Sequence, residues 1–238
     1  MLNKETRTIM ALVAASALIL AVGGVSIASN MGFKLNKQLF FRGSGQVGVN
    51  WTSIPQNHPY SGAPCTIGGP CAGALCAALN LTSTGLSRGT IIVLNATTGQ
   101  FQTGTCGGTA NTLALPSGQG VAITQPGAAG GSMGAIIVGS HNPTLTLTIP
   151  KAGNGNIGNL WFALPYHTTA VTGQDVCAQI GMTGTGISRG TVTRLNAQTG
   201  AFTQGTCGST AGSLNLVLGE QMQLREPNGP KSFSPAHF

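Results

Sequence analysis

The chain has 238 residues, of which 6% are charged and 41% hydrophobic, with 37 glycines and a formal net charge of +7. Ordinary globular chains carry about 25% charged residues, so hydroxyl, amide and small side chains must cover most of this surface. The apolar content argues against disorder, the lack of a glycine period against a collagen-like chain, and the scattered basic residues against a nucleic-acid-binding stripe.

Lys4 and Arg7 open the chain, an uncharged stretch from Thr8 to Phe33 follows, and Ser26-Ile27-Ala28 forms a small-x-small cleavage site. This is the layout of a secretory signal peptide over residues 1–28. A retained anchor is the alternative, because about 20 apolar residues can span a bilayer. The mature chain would keep three acids, Asp175, Glu220 and Glu226, against nine Lys and Arg.

Residues 29–141 and 142–238 read as two copies of one module. Trp51-Thr52-Ser53-Ile54-Pro55 parallels Trp161-Phe162-Ala163-Leu164-Pro165, Thr84-Gly85-Leu86-Ser87-Arg88-Gly89-Thr90 recurs as Thr185-Gly186-Ile187-Ser188-Arg189-Gly190-Thr191, and Gly104-Thr105-Cys106-Gly107 recurs as Gly205-Thr206-Cys207-Gly208. From Cys76 and Cys177 to Thr124 and Arg225 the offset is constant at 101 residues. Such a repeat governs the architecture.

In chain order, Phe33 to Phe41 takes the place in the first copy that Thr144 to Ile149, alternating Thr with Leu and Ile, takes as a strand in the second. One short helix is predicted per module, around Ala72 to Leu79 and around Gly173 to Ile180, with Thr172 as N-cap and Gly181 as C-terminal stop. A strand-turn-strand unit follows in each copy: Ile91 to Leu94 with Gln100 to Thr103, and Gly190 to Leu195 with Ala201 to Gln204. Gly200 supplies the positive φ of the second turn. Leu113 and Leu115 match Leu214 and Leu216 as a further short strand, and Val121 to Thr124 matches Met222 to Arg225. Gly127 to Ser132 reads as a loop of the first copy alone. The fold class is therefore mainly β: two tandem, homologous, disulfide-stapled modules, sandwich- or barrel-like, each with one short helix, after an N-terminal signal segment.

All six cysteines follow the signal. Cys76 and Cys106 are as far apart as Cys177 and Cys207, which predicts one disulfide per module in an oxidising compartment. Cys65 and Cys71, in an insertion unique to the first copy, are left to pair with each other. Closely paired zinc ligands are lacking.

Catalytic chemistry finds little to work with. Acid–base catalysis needs a carboxylate or His held beside a partner, and none of the three acids is repeated; the expectation is no enzyme and no cofactor. His141 and His237 recur at the module ends, where a shared metal would need further ligands; a hydrogen-bonded structural role is the alternative. Trp51 and Trp161 are candidate ligand platforms, although paired Trp residues before a Pro fit core aromatics better. Arg88 and Arg189 can meet an anion or satisfy backbone carbonyls with their five donors.

The order Trp-x-x-Ile/Leu-Pro, helix with Cys, Ser-Arg, Thr-Gly-x-Phe, Gly-Thr-Cys-Gly resembles a module of uncharacterised exported bacterial proteins, often in tandem. The resemblance implies an extracytoplasmic β-module and carries no catalytic residue. The leading expectation is an exported structural subunit, extracellular, on the cell surface or in the periplasm, that self-assembles head-to-tail into a filament, surface layer or matrix. The second copy ends without the following strand that its counterpart has, so a neighbouring chain's Phe33 to Phe41 would add there, with Phe33, Phe40, Phe41 and Phe238 as assembly contacts. The alternative is a secreted monomeric binding or adhesion module for glycans or a cell-surface partner. No nucleic acid is expected, and a membrane only through an uncleaved signal segment.

Overall fold

The computed structural model describes residues 32–43, 48–55, 71–96, 98–127, 130–140, 142, 144–151, 158–166 and 168–236. The signal segment, Cys65, His141, His237 and Phe238 lie outside the described residues. The first half contains β1 (Phe33–Phe40), β2 (Val49–Ser53), α1 (Ala72–Ala78), β3 (Thr90–Leu94), β4 (Phe101–Thr105), β5 (Gly120–Thr124) and β6 (Ser132–Gly139). The second contains β7 (Leu147–Ile149), β8 (Asn159–Ala163), α2 (Gly173–Ile180), β9 (Thr191–Leu195), β10 (Phe202–Thr206), β11 (Gln221–Arg225) and β12 (Lys231–Phe233). Each half forms a four-stranded antiparallel sheet, β2-β5-β3-β4 and β8-β11-β9-β10, and a two-stranded ribbon that joins its first strand to its last, β1 with β6 and β7 with β12. The fold is mainly β, as the sequence predicts.

The helices form where the apolar spacing places them, and their starts differ. At α2 the Thr172 hydroxyl accepts the Asp175 N–H at 3.3 Å, and the Asp175 carboxylate accepts the Thr172 N–H at 2.8 Å. This reciprocal capping box satisfies backbone donors that the first helical turn leaves open. Gly181 ends the helix in the left-handed region, φ 68°. At α1 the N-cap is Cys71, which makes no side-chain cap bond. Disulfides Cys76–Cys106 and Cys177–Cys207 then tie each helix to the turn that leaves β4 or β10, one per module, as equal spacing predicts. Cys71, expected to pair with Cys65, is instead a buried free thiol whose Sγ donates to the Asn111 carbonyl at 3.3 Å.

Two expectations change. Leu113 and Leu115, and likewise Leu214 and Leu216, do not make a strand. The Thr109 hydroxyl accepts the N–H of Thr105, and Thr210 does the same for Thr206. Each hydroxyl draws the chain over the edge strand into a 3-10 turn, Thr109–Thr112 and Thr210–Ser213. The leucines then cross the helix start, where Ala72 N–H donates to Leu113 O and Gly173 N–H to Leu214 O. Secondly, the last segment of the second copy has a partner. β12 pairs with β7 in its own half, Phe233 opposite Leu147, so the gap that would receive a neighbour's Phe33 to Phe41 does not exist. β1 is itself paired along its whole length with β6, a strand that follows the predicted loop Gly127 to Ser132 and that the sequence reading does not contain.

Each half buries its own core between one sheet face, the helix and the ribbon. Ile91, Val93, Val121 and Ile123 meet Leu75, Cys76, Leu39 and Ile137 in the first; Val192, Met222 and Leu224 meet Val176, Cys177, Ile149 and Phe233 in the second. The opposite sheet faces meet each other, with Trp51, Leu94, Ala122, Trp161 and Leu195 packed between them.

This seam is reciprocal. Ser53 N–H donates to Gly219 O at 3.0 Å, and its repeat counterpart Ala163 donates to Gly118 O at 3.1 Å. Trp51 meets Phe202 at 5.5 Å between ring centroids, and Trp161 meets Phe101 at 5.4 Å. The two Trp rings lie 5.5 Å apart. Contacts in which each copy offers the other the same patch describe a two-fold arrangement. Gly118 and Gly219, at φ 69° and 80°, place their carbonyls for these bonds, a backbone region that residues with a Cβ avoid.

Candidate functional site

A groove of about 360 Å³ opens where the β1–β6 ribbon of the first half meets β9, β10 and the turn before β11 of the second. That volume falls in the range of small-molecule sites, about 300–1,000 Å³. A second cleft, between Ile54-Pro55 and Leu164-Pro165 on the seam, has only about 20 Å³, room for roughly one water.

Strand alternation builds the groove. Leu35, Lys37 and Leu39 share the inward side of β1. Leu39 is in the core, while Lys37 reaches beyond it toward the second half, its side chain 13% exposed. Its ammonium lies 3.9 Å from a Glu220 carboxylate oxygen, outside hydrogen-bond distance. Among the described residues, no hydrogen bond from Lys37 Nζ is formed. Burial pulls the Lys37 pKa below its ordinary value; Glu220 opposes that shift and Arg194 adds to it.

Arg194, on β9, is committed to holding the turn. Its Nε donates to Glu220 Oε2 at 3.0 Å, Nη2 reaches the same oxygen, and Nη1 donates to the Asn215 carbonyl. The seam fixes the same turn from the other side, because the Ser53 hydroxyl donates to the Glu220 carbonyl at 2.6 Å. The Arg194–Glu220 bonds are charge-assisted, a class about twice as strong as neutral hydrogen bonds. Lys37, ion-paired with Glu220 at 3.9 Å without a hydrogen bond to it, is therefore the less tightly held cation of the groove.

The rim is polar and braced. Asn196 Oδ1 accepts the N–H groups of Gln198 and Thr199 at 3.0 and 2.9 Å, which sets the turn that carries Gln198. Gln38 donates to the Ser132 hydroxyl at 2.7 Å. Phe40 lines one end, and the fully buried Asn50 locks its backbone, accepting from Phe40 N at 2.7 Å and donating to Phe40 O at 3.0 Å.

Of the residues singled out by sequence, Phe40 alone lines this groove. Trp51 and Trp161 are buried, 6% and 3% exposed, so they are seam aromatics and not ligand platforms. Their partners Phe101 and Phe202 carry the exposure, 60% and 64%. Arg88 donates to the carbonyls of Gly85 and Gly107, and Arg189 to those of Gly186 and Gly208. Both take the structural role of satisfying backbone oxygens. Each brace holds a loop tip with a fully exposed aliphatic residue, Leu86 or Ile187. Phe41 packs against the first half, where a Cβ on Gly127 would run into its ring. Phe33 sits at the start of β1, opposite Gly139. Among the described residues no three His, Cys, Asp or Glu side chains gather as a metal site would need, and no helix is long and apolar enough to cross a membrane.

The groove residues Lys37, Arg194 and Glu220 escape a search for repeated motifs because they are where the repeat breaks. At the 101-residue offset, Arg194 stands opposite Val93 and Glu220 opposite Gln119. At the offset of 110 that aligns Trp51 with Trp161, Lys37 matches Leu147: Leu35 and Leu145, two residues earlier, come nearest the seam glycines Gly219 and Gly118 respectively. The reciprocal position on the other side of the seam is thus uncharged. In comparisons with known proteins, no protein-family model, no curated protein and no solved structure matches this chain.

Proposed function

We propose that this chain is an exported binding module whose ligand, a glycan, occupies the groove at the module seam. The observation that carries the reading is the one-sided change from Leu147, Val93 and Gln119 to Lys37, Arg194 and Glu220. These charges line one groove of the seam, where the Lys37 ammonium stands beyond hydrogen-bond distance from Glu220, an arrangement that fits a ligand. The disulfides are at home in an oxidising environment, which supports an exported location. The scarcity of acids beside the groove supports binding without catalysis.

The second reading is a structural subunit that self-assembles. One observation favours it: β4 and β10 are edge strands with uncharged sequences, Phe-Gln-Thr-Gly-Thr and Phe-Thr-Gln-Gly-Thr, and such edges can accept a strand from another chain. Head-to-tail growth by copying the seam is not favoured, since a reciprocal contact consumes the same face of both copies and closes. Light scattering and a glycan array on residues 29–238 test the two together. A monodisperse monomer retained by glycans is the expected result. Polymers without glycan retention would replace this reading with the structural one.

A further inference from the structure

We propose, resting on the binding reading above, that the groove selects a carboxylate-bearing sugar and that the Lys37 ammonium is the group that meets its carboxylate. Three features of the groove lead there. Lys37 and Arg194 outnumber Glu220, so the groove carries a net positive charge. Arg194 spends its donors on Glu220 and Asn215, whereas Lys37 faces the space with its nearest anion at 3.9 Å. Glu220 pairs with the ammonium only beyond hydrogen-bond distance, and an incoming carboxylate would supply a directly bonded acceptor.

The rest of the ligand is specified by the rim. Gln38, Gln198 and Thr203 offer amide and hydroxyl groups, each able to donate and accept. That pattern suits adjacent sugar hydroxyls, which also donate and accept. It does not suit a phosphate, whose three acceptor oxygens call for a cluster of donors. Phe40 supplies an apolar wall for a ring face. The Asn196 side chain fixes the backbone of the turn that carries Gln198, which reduces the ordering cost of binding there.

The test is a titration of residues 29–238 with glucuronate, glucose and acetate, followed by NMR of the backbone amides and by calorimetry. The expected result is that glucuronate binds at least tenfold more tightly than either glucose or acetate and shifts the amides of Gln38, Gln198 and Thr203. Lys37→Met, which keeps the aliphatic stem, should lose at least tenfold in glucuronate affinity while Lys37→Arg keeps most of it. Equal affinity for glucose and glucuronate would overturn the carboxylate assignment and leave the glycan reading standing. Equal affinity for acetate would reduce the site to a simple anion site and overturn the sugar. Shifts confined to other surfaces would overturn the groove itself, and wild-type mapping decides this even where Lys37→Met fails to fold. A folded protein that binds no saccharide on the array and none of these probes would remove the binding reading as well.

Discussion

The two halves share a scaffold, and some of the positions at which they differ face each other or face the groove. Both keep the helix-to-turn disulfide, the Arg brace and the Trp at the seam. Some exchanges preserve a job. Gln125 accepts the Thr82 N–H at 3.0 Å, and its counterpart Glu226 accepts the Thr183 N–H at 2.7 Å, each tethering the loop that its Arg braces. Others make the halves complementary. Gln221 is fully buried on the seam, and its counterpart in the first half is Gly120, whose missing side chain is the space that Gln221 fills. The seam thus keeps Trp51 and Trp161 alike in both copies but diverges at Gly120 and Gln221, where a large side chain on both sides would collide.

Breaking the seam should have the largest effect. Trp51→Ala and Trp161→Ala each leave a cavity between the sheets, and each should lose about 3–5 kcal/mol in denaturant titration. The double variant should lose less than the sum, because the rings touch. Additive losses would mean that the two rings act in separate cores.

Removing the disulfides compares the halves directly. Cys76→Ala with Cys106→Ala, and Cys177→Ala with Cys207→Ala, each release a loop of the same sequence separation, 30 residues. The loss should be similar, about 2–4 kcal/mol for each pair. A clear difference, read from chemical melts of the two variants, would locate unequal native packing around the two helices.

The complementary pair gives a smaller, signed effect. Gly120→Ala should destabilise by about 1–3 kcal/mol, since the new methyl meets the Gln221 side chain. Gln221→Ala should rescue it. Gln221 forms no hydrogen bond with either amide atom among the described residues, so its truncation removes an unpaired polar group along with its packing. No rescue would show that the clash lies with backbone instead.

The helix starts supply the smallest effect. Thr172→Ala should cost about 1 kcal/mol, whereas Cys71→Ala, at the uncapped counterpart, has no side-chain cap bond to lose. The α2 cap is also pH-linked. Hydrogen bonds from the Thr172 backbone and hydroxyl and from the Val171 backbone hold the Asp175 carboxyl below its ordinary pKa. The unfolded chain then takes up this proton first as pH falls. The stabilisation is fully present above the ordinary carboxylate range and is lost as pH falls through it toward the folded value. Thermal melts between about pH 5 and pH 2 should show a shallower acid slope for Asp175→Asn than for the parent.

Local chemistry fixed what was legible in advance. Thr172 and Gly181 bracket a helix because a hydroxyl caps backbone donors and a glycine tolerates the left-handed region. Equal Cys spacing in two copies left one economical pairing. Alternation and turn residues located β3, β4, β9 and β10 to within a residue or two. These signals lie within a few residues of the element they specify, or are repeated. The leucines after Gly108 and Ser209 misled because the Thr109 and Thr210 hydroxyls compete for the edge-strand N–H groups, a preference decided by two side chains and invisible to hydropathy. The closure of each half by its first and last strands depends on contacts about a hundred residues apart, and so does the two-fold seam. Composition and the internal repeat together indicated a weakly charged, mainly β protein in two copies. Only the tertiary structure buried Trp51 and Trp161 against each other and brought Lys37 from one copy to Glu220 and Arg194 of the other, because a groove between modules is made of residues that no local pattern connects.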